Sequence, residues 1–293
     1  MRSARGGAST NSPRATGVLK RLSRNEKAIE AARSFLAKAV RRRQSRAKTV
    51  DGTLRFGVDL GTATVVMTAV DASDAPVYWD FVRCGAVRDG VVVNFSDASA
   101  AVSRLKARAE EHLGMVVGSA GTAYPPGVPE TDARACRFVL EAAGIDCRAL
   151  IDEVSAAQAL LKLASGAIVD VGGGSTGVGV VEEGRIVALD DRPGGGHHLN
   201  LILAGALGIP VEDAEVLKIA GKPEHVRILK PGIERIAASI ERQIGARAVQ
   251  SVHLVGGAVM LPGTSKVVSE VIGLPVFAYP HSELVTPFGI AMS

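Results

Sequence analysis

Short apolar strands alternate with helices along most of this chain. Two of the strands, residues 56–60 and 168–171, share one plan: each is apolar, carries an aspartate near its end and runs into a glycine-rich turn. The aspartates are Asp59 and Asp170, and β-branched sequence resumes after each turn, from Val65 in the first copy and from Val178 in the second. Each copy therefore predicts a β-hairpin.

The remaining pattern predicts one supersecondary unit used twice. After the first hairpin we expect strands over 77–82, 91–95 and 115–120, and helices over 98–113, 131–143 and 152–163, with Gly144 and Asp152 as caps. After the second hairpin come a strand over 185–189, helices, a strand over 251–255 and a helix over 268–272. This order predicts a duplicated βββαβα unit, the ribonuclease H-like plan of a two-lobe α/β protein.

Composition fits a globular domain. Of the 293 residues, 47% are apolar and 22% charged, and aromatic residues at 4% leave the core to aliphatic side chains. No apolar run approaches the 18 or so residues that a membrane helix needs. The three cysteines show no metal-binding or CxxC spacing, so we interpret them as reduced packing residues.

Charge divides the chain into a basic start and an acidic body. Residues 1–50 hold 14 Lys/Arg and 2 Asp/Glu, a net +12, and the other 243 residues hold 20 and 28, a net −8. Residues 1–17 have a disordered composition. From Ser23, with Glu26 as a capping box, the pattern predicts an amphipathic helix whose apolar face includes Ile29 and Leu36.

That basic segment has several possible roles. It could dock on a protein partner, on a membrane surface or on nucleic acid, it could be an organelle transit peptide, or it could be a solvated tail. The composition does not predict a specific nucleic-acid partner.

The two glycine-rich turns carry the candidate chemistry. Glycine lets backbone N–H groups approach an anion, and a strand aspartate beside such a turn suits a hydrated Mg²⁺ ion. Two such hairpins facing each other would hold the phosphates of a nucleotide from both sides. The text G-x-G-x-x-G at 172–177 is not a Rossmann fingerprint, because strand sequence rather than a helix follows it. A P-loop sequence is absent.

Five motifs in order resemble the actin–Hsp70–sugar kinase superfamily of ATPases over about residues 54–293. They are DLGTAT at 59–64, EVSAA at 153–157, DVGGGST at 170–176, VGGAVMLPG at 255–263 and TPFGIA at 286–291. Residues 87–90, 125–127, 195–198 and 214–218 are similar to the Hsp70-like proteins of bacterial ethanolamine-utilisation operons. That family is regarded as chaperone-like ATPases associated with microcompartment enzymes. The basic N-terminal segment does not match its pattern, and in such a system it could dock on shell proteins of the microcompartment.

The resemblance implies ATP or ADP as ligand, with Mg²⁺ held through water by Asp59 and Asp170. Asp59, Glu153 and Asp170 would form the catalytic set, with Asp170 or Glu153 placing the attacking water. The implied nucleotide-binding residues are Gly61, Thr62, Thr64, Gly172, Gly173, Gly174, Ser175, Thr176, Glu215, Lys218, Gly256 and Gly257. The loop with His197 and His198 would cap the cleft, and we assign it no metal because adjacent histidines seldom converge on one ion.

These observations predict a compact, actin-like ATPase without the Hsp70 substrate-binding domain, because the sequence stops two residues after Ala291. We expect a basic tail over 1–50, lobe I over 54–165 plus 282–293, and lobe II over 166–281. Three functions compete: a cytoplasmic chaperone or assembly factor for microcompartment enzymes, an actin-like filament or scaffold protein, and a small-molecule kinase. The body of about 240 residues is short for a kinase.

Overall fold

Two five-stranded mixed sheets form the framework of the protein. The computed structural model describes residues 13–42, 52–88 and 91–293. The strand order is β3-β2-β1-β6-β7 in the first sheet and β10-β9-β8-β11-β12 in the second, so the two sheets have the same topology. In each, an antiparallel three-stranded meander is extended by two parallel strands. This duplication is the one that the sequence predicts.

The first half of the chain builds the first sheet. Its strands are β1 (Arg55–Leu60), β2 (Thr64–Val70), β3 (Pro76–Arg83), β6 (Ser119–Tyr124) and β7 (Asp146–Asp152), and a small hairpin joins β4 (Val87–Arg88) to β5 (Val91–Val92). Helices α2 (Phe95–Leu113) and α3 (Glu130–Ala142) cover one face, and α4 (Glu153–Leu161) leads out of the half. The aliphatic face of α2 is buried in this core, as its periodicity requires.

The second half repeats the arrangement with more helices. Its strands are β8 (Ser165–Val171), β9 (Ser175–Glu182), β10 (Arg185–Pro193), β11 (Val252–Val255) and β12 (Val276–Ala278). Helices α5 (Gly196–Leu207), α6 (Val211–Ala220), α7 (Pro223–Ile244) and α8 (Thr264–Ile272) lie between β10 and β12 in the chain, and α9 (Val285–Met292) closes it. A second aliphatic core joins this sheet to α5, α7 and α8.

Helices α4 and α9 lie between the two halves. They share a third core with residues of both sheets, including Val66 and Ile168. The α4–α9 contact is very close: a Cβ added to Gly289 would clash with the Ala156 backbone. A Cβ on Gly57 would lie 2.6 Å from the Ala291 amide nitrogen, so β1 also touches the α9 backbone. Glycine is needed at these positions because it alone leaves room for the neighbouring backbone.

The N-terminal basic helix, α1 (Pro13–Arg42), packs on the body of its own chain. Its residues Ile29, Ala32, Leu36 and Ala39 are buried in the core shared by both halves. The edge of the Phe35 ring meets Phe288 of α9, with ring centroids 5.0 Å apart.

Polar contacts fix the same helix to both sheets. The Asn25 side chain donates to the Ser165 carbonyl (2.7 Å) and accepts from the Ala164 amide (2.9 Å), beside β8. Trp79 of β3 donates its indole N–H to the Ala39 carbonyl at 3.0 Å. The predicted amphipathic helix is confirmed, but its apolar face is occupied within the chain. This apolar face is therefore not available for docking on a shell or a membrane while α1 is packed on the body.

Several local predictions are corrected. The first helix begins at Pro13, so Ser23 lies inside it and is not its cap. Disorder was predicted over 1–17, which is wrong for residues 13–17 because they belong to this helix; residues 1–12 lie outside the described residues. The strand expected over 115–120 begins at Ser119, and that expected over 91–95 ends at Val92 because Asn94 caps α2. The Asp152 cap of α4 is confirmed by its bond from the Ser155 amide (2.7 Å). The division into lobes at 165/166 and 281/282 stays a prediction.

None of the helices in the described part of the chain is long and apolar enough to cross a membrane.

Candidate functional site

Two aspartates stand at corresponding positions at the ends of two central strands. Asp59 is the fifth residue of β1 and pairs opposite Val66 of β2. Asp170 is the sixth residue of β8, between Gly177 of β9 and Val255 of β11. Both therefore lie at the carboxyl ends of their strands, where the turns that follow open towards the junction of the halves.

Glu153 adds a third carboxylate at the start of α4. It follows β7 directly, and the Asp152 cap fixes the first turn of the helix below it. The side chains of Asp59 and Glu153 are half-buried, and that of Asp170 is buried. One carboxylate thus comes from each sheet and one from the helix that connects them.

The three carboxylates perturb one another. The pKa of Asp59 is raised to about 7, mainly because the carboxyl is buried and to a lesser extent because Asp170 repels its charge. Burial also raises the pKa of Asp170 to about 6, although a hydrogen bond from Thr286 opposes the rise. The pKa of Glu153 lies well above its usual range because of burial and then of repulsion from Asp170, Asp59 and Asp191. Carboxylates gathered in this way gain from a nearby cation.

Asp170 is held on two sides. Its Oδ2 accepts a hydrogen bond of 2.5 Å from the Thr286 hydroxyl at the start of α9. Its Oδ1 lies against Gly256, where a Cβ would clash both with that oxygen and with the Val171 carbonyl. Gly256 has φ of +91°, so conformation as well as space requires glycine there.

The two glycine-rich turns touch each other. A Cβ added to Gly173 would lie 2.8 Å from the Thr62 Cβ, so the turn after β8 meets the turn after β1. Gly61 is enclosed by its own turn, with the Thr64 carbonyl 2.8 Å from a Cβ position. Thr62, Thr64, Gly172, Gly173 and Ser175 remain partly exposed, whereas Gly174 and Thr176 are buried.

A third glycine segment covers the second turn. The Gly194 amide donates to the Gly174 carbonyl (2.9 Å), and the Gly196 amide donates to the Gly172 carbonyl (2.9 Å). The His197 amide does the same to the Gly173 carbonyl at 2.7 Å. The Thr176 hydroxyl donates to the Gly194 carbonyl, so this predicted ligand residue is used to hold the segment in place.

Lys218 of α6 joins the same corner. Its Nζ donates to the Gly196 carbonyl at 2.8 Å, and a Cβ on Gly196 would lie 3.5 Å from the Ala258 Cβ. Burial lowers the pKa of Lys218 to about 8, while Glu215 on the same helix opposes the change. Of the predicted adenosine residues, Lys218 therefore contacts the start of α5, whereas Gly256 lies against Asp170 and Gly257 lies near Glu283.

A metal ion bound directly by protein side chains needs a set of converging ligands. The described residues contain no group of three His, Cys, Asp or Glu side chains that could hold one ion, and exposed His197 and His198 form no such group. The carboxylates of Asp59 and Asp170 fit a hydrated Mg²⁺ ion instead, since Mg²⁺ keeps several of its waters and takes one or two carboxylates.

Sequence reasoning missed two contributors to this site. Thr286 was noted as part of a helix motif, but nothing local indicates its bond to Asp170, 116 positions away. Asp191 of β10 faces Glu153 and adds negative charge. Gly195, by contrast, belongs to the segment 195–198 that the sequence singled out, and a Cβ there would lie 2.5 Å from the Gly172 carbonyl.

Comparison with known proteins identifies the family. The chain is 37% identical over 244 residues to ethanolamine utilization protein EutJ of Salmonella typhimurium, which covers 83% of this chain and 86% of the relative. This chain belongs to the EutJ family. A crystal structure of EutJ from Carboxydothermus hydrogenoformans matches it with a TM-score of 0.82 and 37% identity, over 92% of this chain and 98% of that one.

More distant proteins share the fold of this EutJ-family chain. MreB5 of Spiroplasma citri, solved bound to ADP, matches with a TM-score of 0.65 and 16% identity, over 80% of this chain and 94% of that one. At that identity the likeness shows the fold alone, which is that of the actin-like ATPases. The family model described as cell division protein FtsA matches residues 167–287.

Proposed function

We propose that this protein binds ATP and ADP, with hydrated Mg²⁺, between the turns that follow β1 and β8. The observation that carries the proposal is the contact of Thr62 with Gly173 in front of carboxylates from both halves. Glycine-rich turns offer bare N–H groups to phosphates, and a cation would relieve the burial and repulsion of the carboxylates behind them.

Each group has a definite part in this proposal. The amides near Gly61 and Gly173 and the hydroxyls of Thr62 and Thr64 would bind the β- and γ-phosphates. When bound, Mg²⁺ neutralises part of the phosphate charge, and this charge stabilisation is a large part of catalysis in phosphoryl transfer. Asp59 and Asp170 would orient its water ligands.

The attacking water would be placed by Asp170 or Glu153. Either side chain can accept a hydrogen bond from that water through its carboxylate oxygens. We expect slow hydrolysis, because release of product requires the two halves to move apart.

The base and ribose would lie beside the start of α5. Lys218 already bonds the Gly196 carbonyl there, and Glu215 lies one turn away on the same face of α6. The base would lie beside Gly256 and Gly257, which have no Cβ atom to clash with it.

For the cellular role we propose a chaperone-like ATPase of the ethanolamine utilisation system. This part rests on membership of the EutJ family and on the actin-like fold. Clients would be enzymes or shell proteins of the microcompartment, and the protein would act in the cytoplasm in association with it.

Titration calorimetry tests the nucleotide proposal. ATP and ADP are titrated into the full chain with Mg²⁺ or with a chelator, and inorganic sulfate serves as the control anion. We expect binding of both nucleotides that strengthens with Mg²⁺, and slow phosphate release from ATP. Absence of binding by folded protein would refute the proposal.

The match of the FtsA family model to residues 167–287 favours one other candidate, a nucleotide-dependent scaffold or filament. Light scattering distinguishes the two roles. A rise with Mg-ATP above a threshold protein concentration would indicate assembly, and a flat signal would favour the chaperone role.

A further inference from the structure

The hydrogen-bond partners of helix α9 lie in the second half up to Thr286 and in the first half from Pro287 onwards. Just before it, the Gly256 amide donates to the Ser282 carbonyl, and the Ser282 hydroxyl donates to the Gly256 carbonyl. At the first turn, the Thr286 hydroxyl donates to Asp170 of β8. All these partners belong to the second half.

From the next residue onwards the partners belong to the first sheet. The Pro287 carbonyl accepts a 2.8 Å hydrogen bond from the Thr68 hydroxyl of β2. Further along, the Arg55 guanidinium donates to the Met292 carbonyl (3.1 Å), and a Cβ on Gly57 would strike the helix backbone. The hydrogen bonds of α9 from Pro287 onwards therefore join it to the first sheet, and one hydroxyl at its start joins it to a carboxylate of the second.

The environment of that hydroxyl leaves it little freedom. Thr286 is 4% exposed and Asp170 is 5% exposed, so neither side chain can exchange its partner for bulk water. The other carboxylate oxygen, Oδ1, lies against Gly256. A hydrogen bond to a buried charged group is stronger than one between neutral groups and fixes its orientation.

We infer that Thr286 is a positioning residue: it holds the Asp170 carboxylate in its working orientation and couples the ligand state of that carboxylate to α9 and the first half. The ligand part of this inference rests on the proposed nucleotide site. The positioning part does not, since the hydroxyl holds Asp170 in the free protein as well. With a hydrated cation held at Asp170, Thr286 would link the carboxylate to a helix whose later carbonyls bond to the first sheet.

Hydrogen exchange of the full chain tests the positioning part without any ligand. Thr286→Val keeps the shape of the side chain and removes the donor, and Thr286→Ser keeps the donor. Thr68→Val is the matched control, because it removes a hydroxyl that binds the next residue of the same helix but leaves Asp170 untouched. We expect exchange across 168–174 to rise about tenfold or more in Thr286→Val only. If that variant does not fold, Thr286→Ala replaces it.

Calorimetry with ADP tests the coupling. Thr286→Val should lose about tenfold or more of the affinity gained from Mg²⁺, while Thr286→Ser and Thr68→Val keep it. Exchange across 168–174 equal to wild type in Thr286→Val, or a serine variant that behaves like valine, would overturn the inference. Wild type that binds no nucleotide would refute the proposed function, and the exchange result would still decide whether Thr286 positions Asp170.

Discussion

Replacing Asp59 by asparagine should stabilise the metal-free protein at neutral pH. The carboxyl has an ordinary pKa of 3.8 in the unfolded chain and a pKa of about 7 in the fold, where burial and then Asp170 penalise its charge. Three units correspond to about 4 kcal/mol. Because Asp59 keeps part of its surface accessible and shares its repulsion with Asp170, we expect a gain of about 1–2 kcal/mol.

The gain should depend on pH with a definite sign. Below about pH 4 the carboxyl is protonated in both states, so no buried charge destabilises the wild type. As pH rises from 3.8 to about 7, the unfolded chain loses its proton first, and the wild type loses stability that the asparagine variant retains. The difference should therefore grow across this window and level off above it.

Urea unfolding at pH 5, 6, 7 and 8 in a chelator measures the effect. Asp146→Asn, at an exposed position on β7, is the control and should shift stability by less than about 0.5 kcal/mol. With Mg²⁺ and ADP present, the order should reverse, because only the wild type gains from the ligand. An asparagine variant that is equally or less stable at pH 8 in chelator would refute the proposed carboxylate repulsion.

Two further substitutions test the close packing of the site and of α1. Gly256→Ala should destabilise the protein by about 2–4 kcal/mol, from a positive φ and a clash with Asp170, and should abolish ADP binding. Gly263→Ala has a similar φ of +83° in open space and should cost only about 1 kcal/mol with binding intact; equal losses for the two would contradict the clash. Leu36→Ala should cost about 2–5 kcal/mol in urea unfolding, because Leu36 is fully buried between α1 and the body. Its control is the exposed position Lys38, where alanine should change stability by less than about 0.5 kcal/mol; a Leu36→Ala variant as stable as this control would show that α1 is not docked.

The duplicated hairpins could be predicted from sequence because their signals are local. A run of β-branched residues, an aspartate and a glycine turn lie within about ten residues of each other. Strand β6 was placed four residues too early for a physical reason. Its sequence is Ser-Ala-Gly-Thr-Ala-Tyr, and Gly121 must be small because a Cβ there would lie 3.1 Å from the Ile290 carbonyl of α9. Where a helix that is distant in sequence packs closely on a strand, the strand needs small residues, and small residues have low β-propensity.

The partner of α1 and the role of Thr286 could not be predicted for a related reason. The spacing of Ile29 and Leu36 predicts an apolar face, but periodicity does not indicate what covers it. The cover includes Trp79 of β3 and Phe288 of α9, which are far apart in the sequence and meet in one core. Thr286 likewise acquires its role only when the fold brings β8 to the start of α9.

The central claim is that one nucleotide is held by both halves. ADP titration, with Mg²⁺ and with chelator, of wild type and of Asp59→Asn and Asp170→Asn tests it most directly, because the two aspartates belong to different sheets. We expect each substitution alone to remove about tenfold or more of the affinity gained from Mg²⁺. Mg²⁺-dependent binding that survives intact in either variant would mean that a single turn holds the ligand, and would contradict a site shared by both halves.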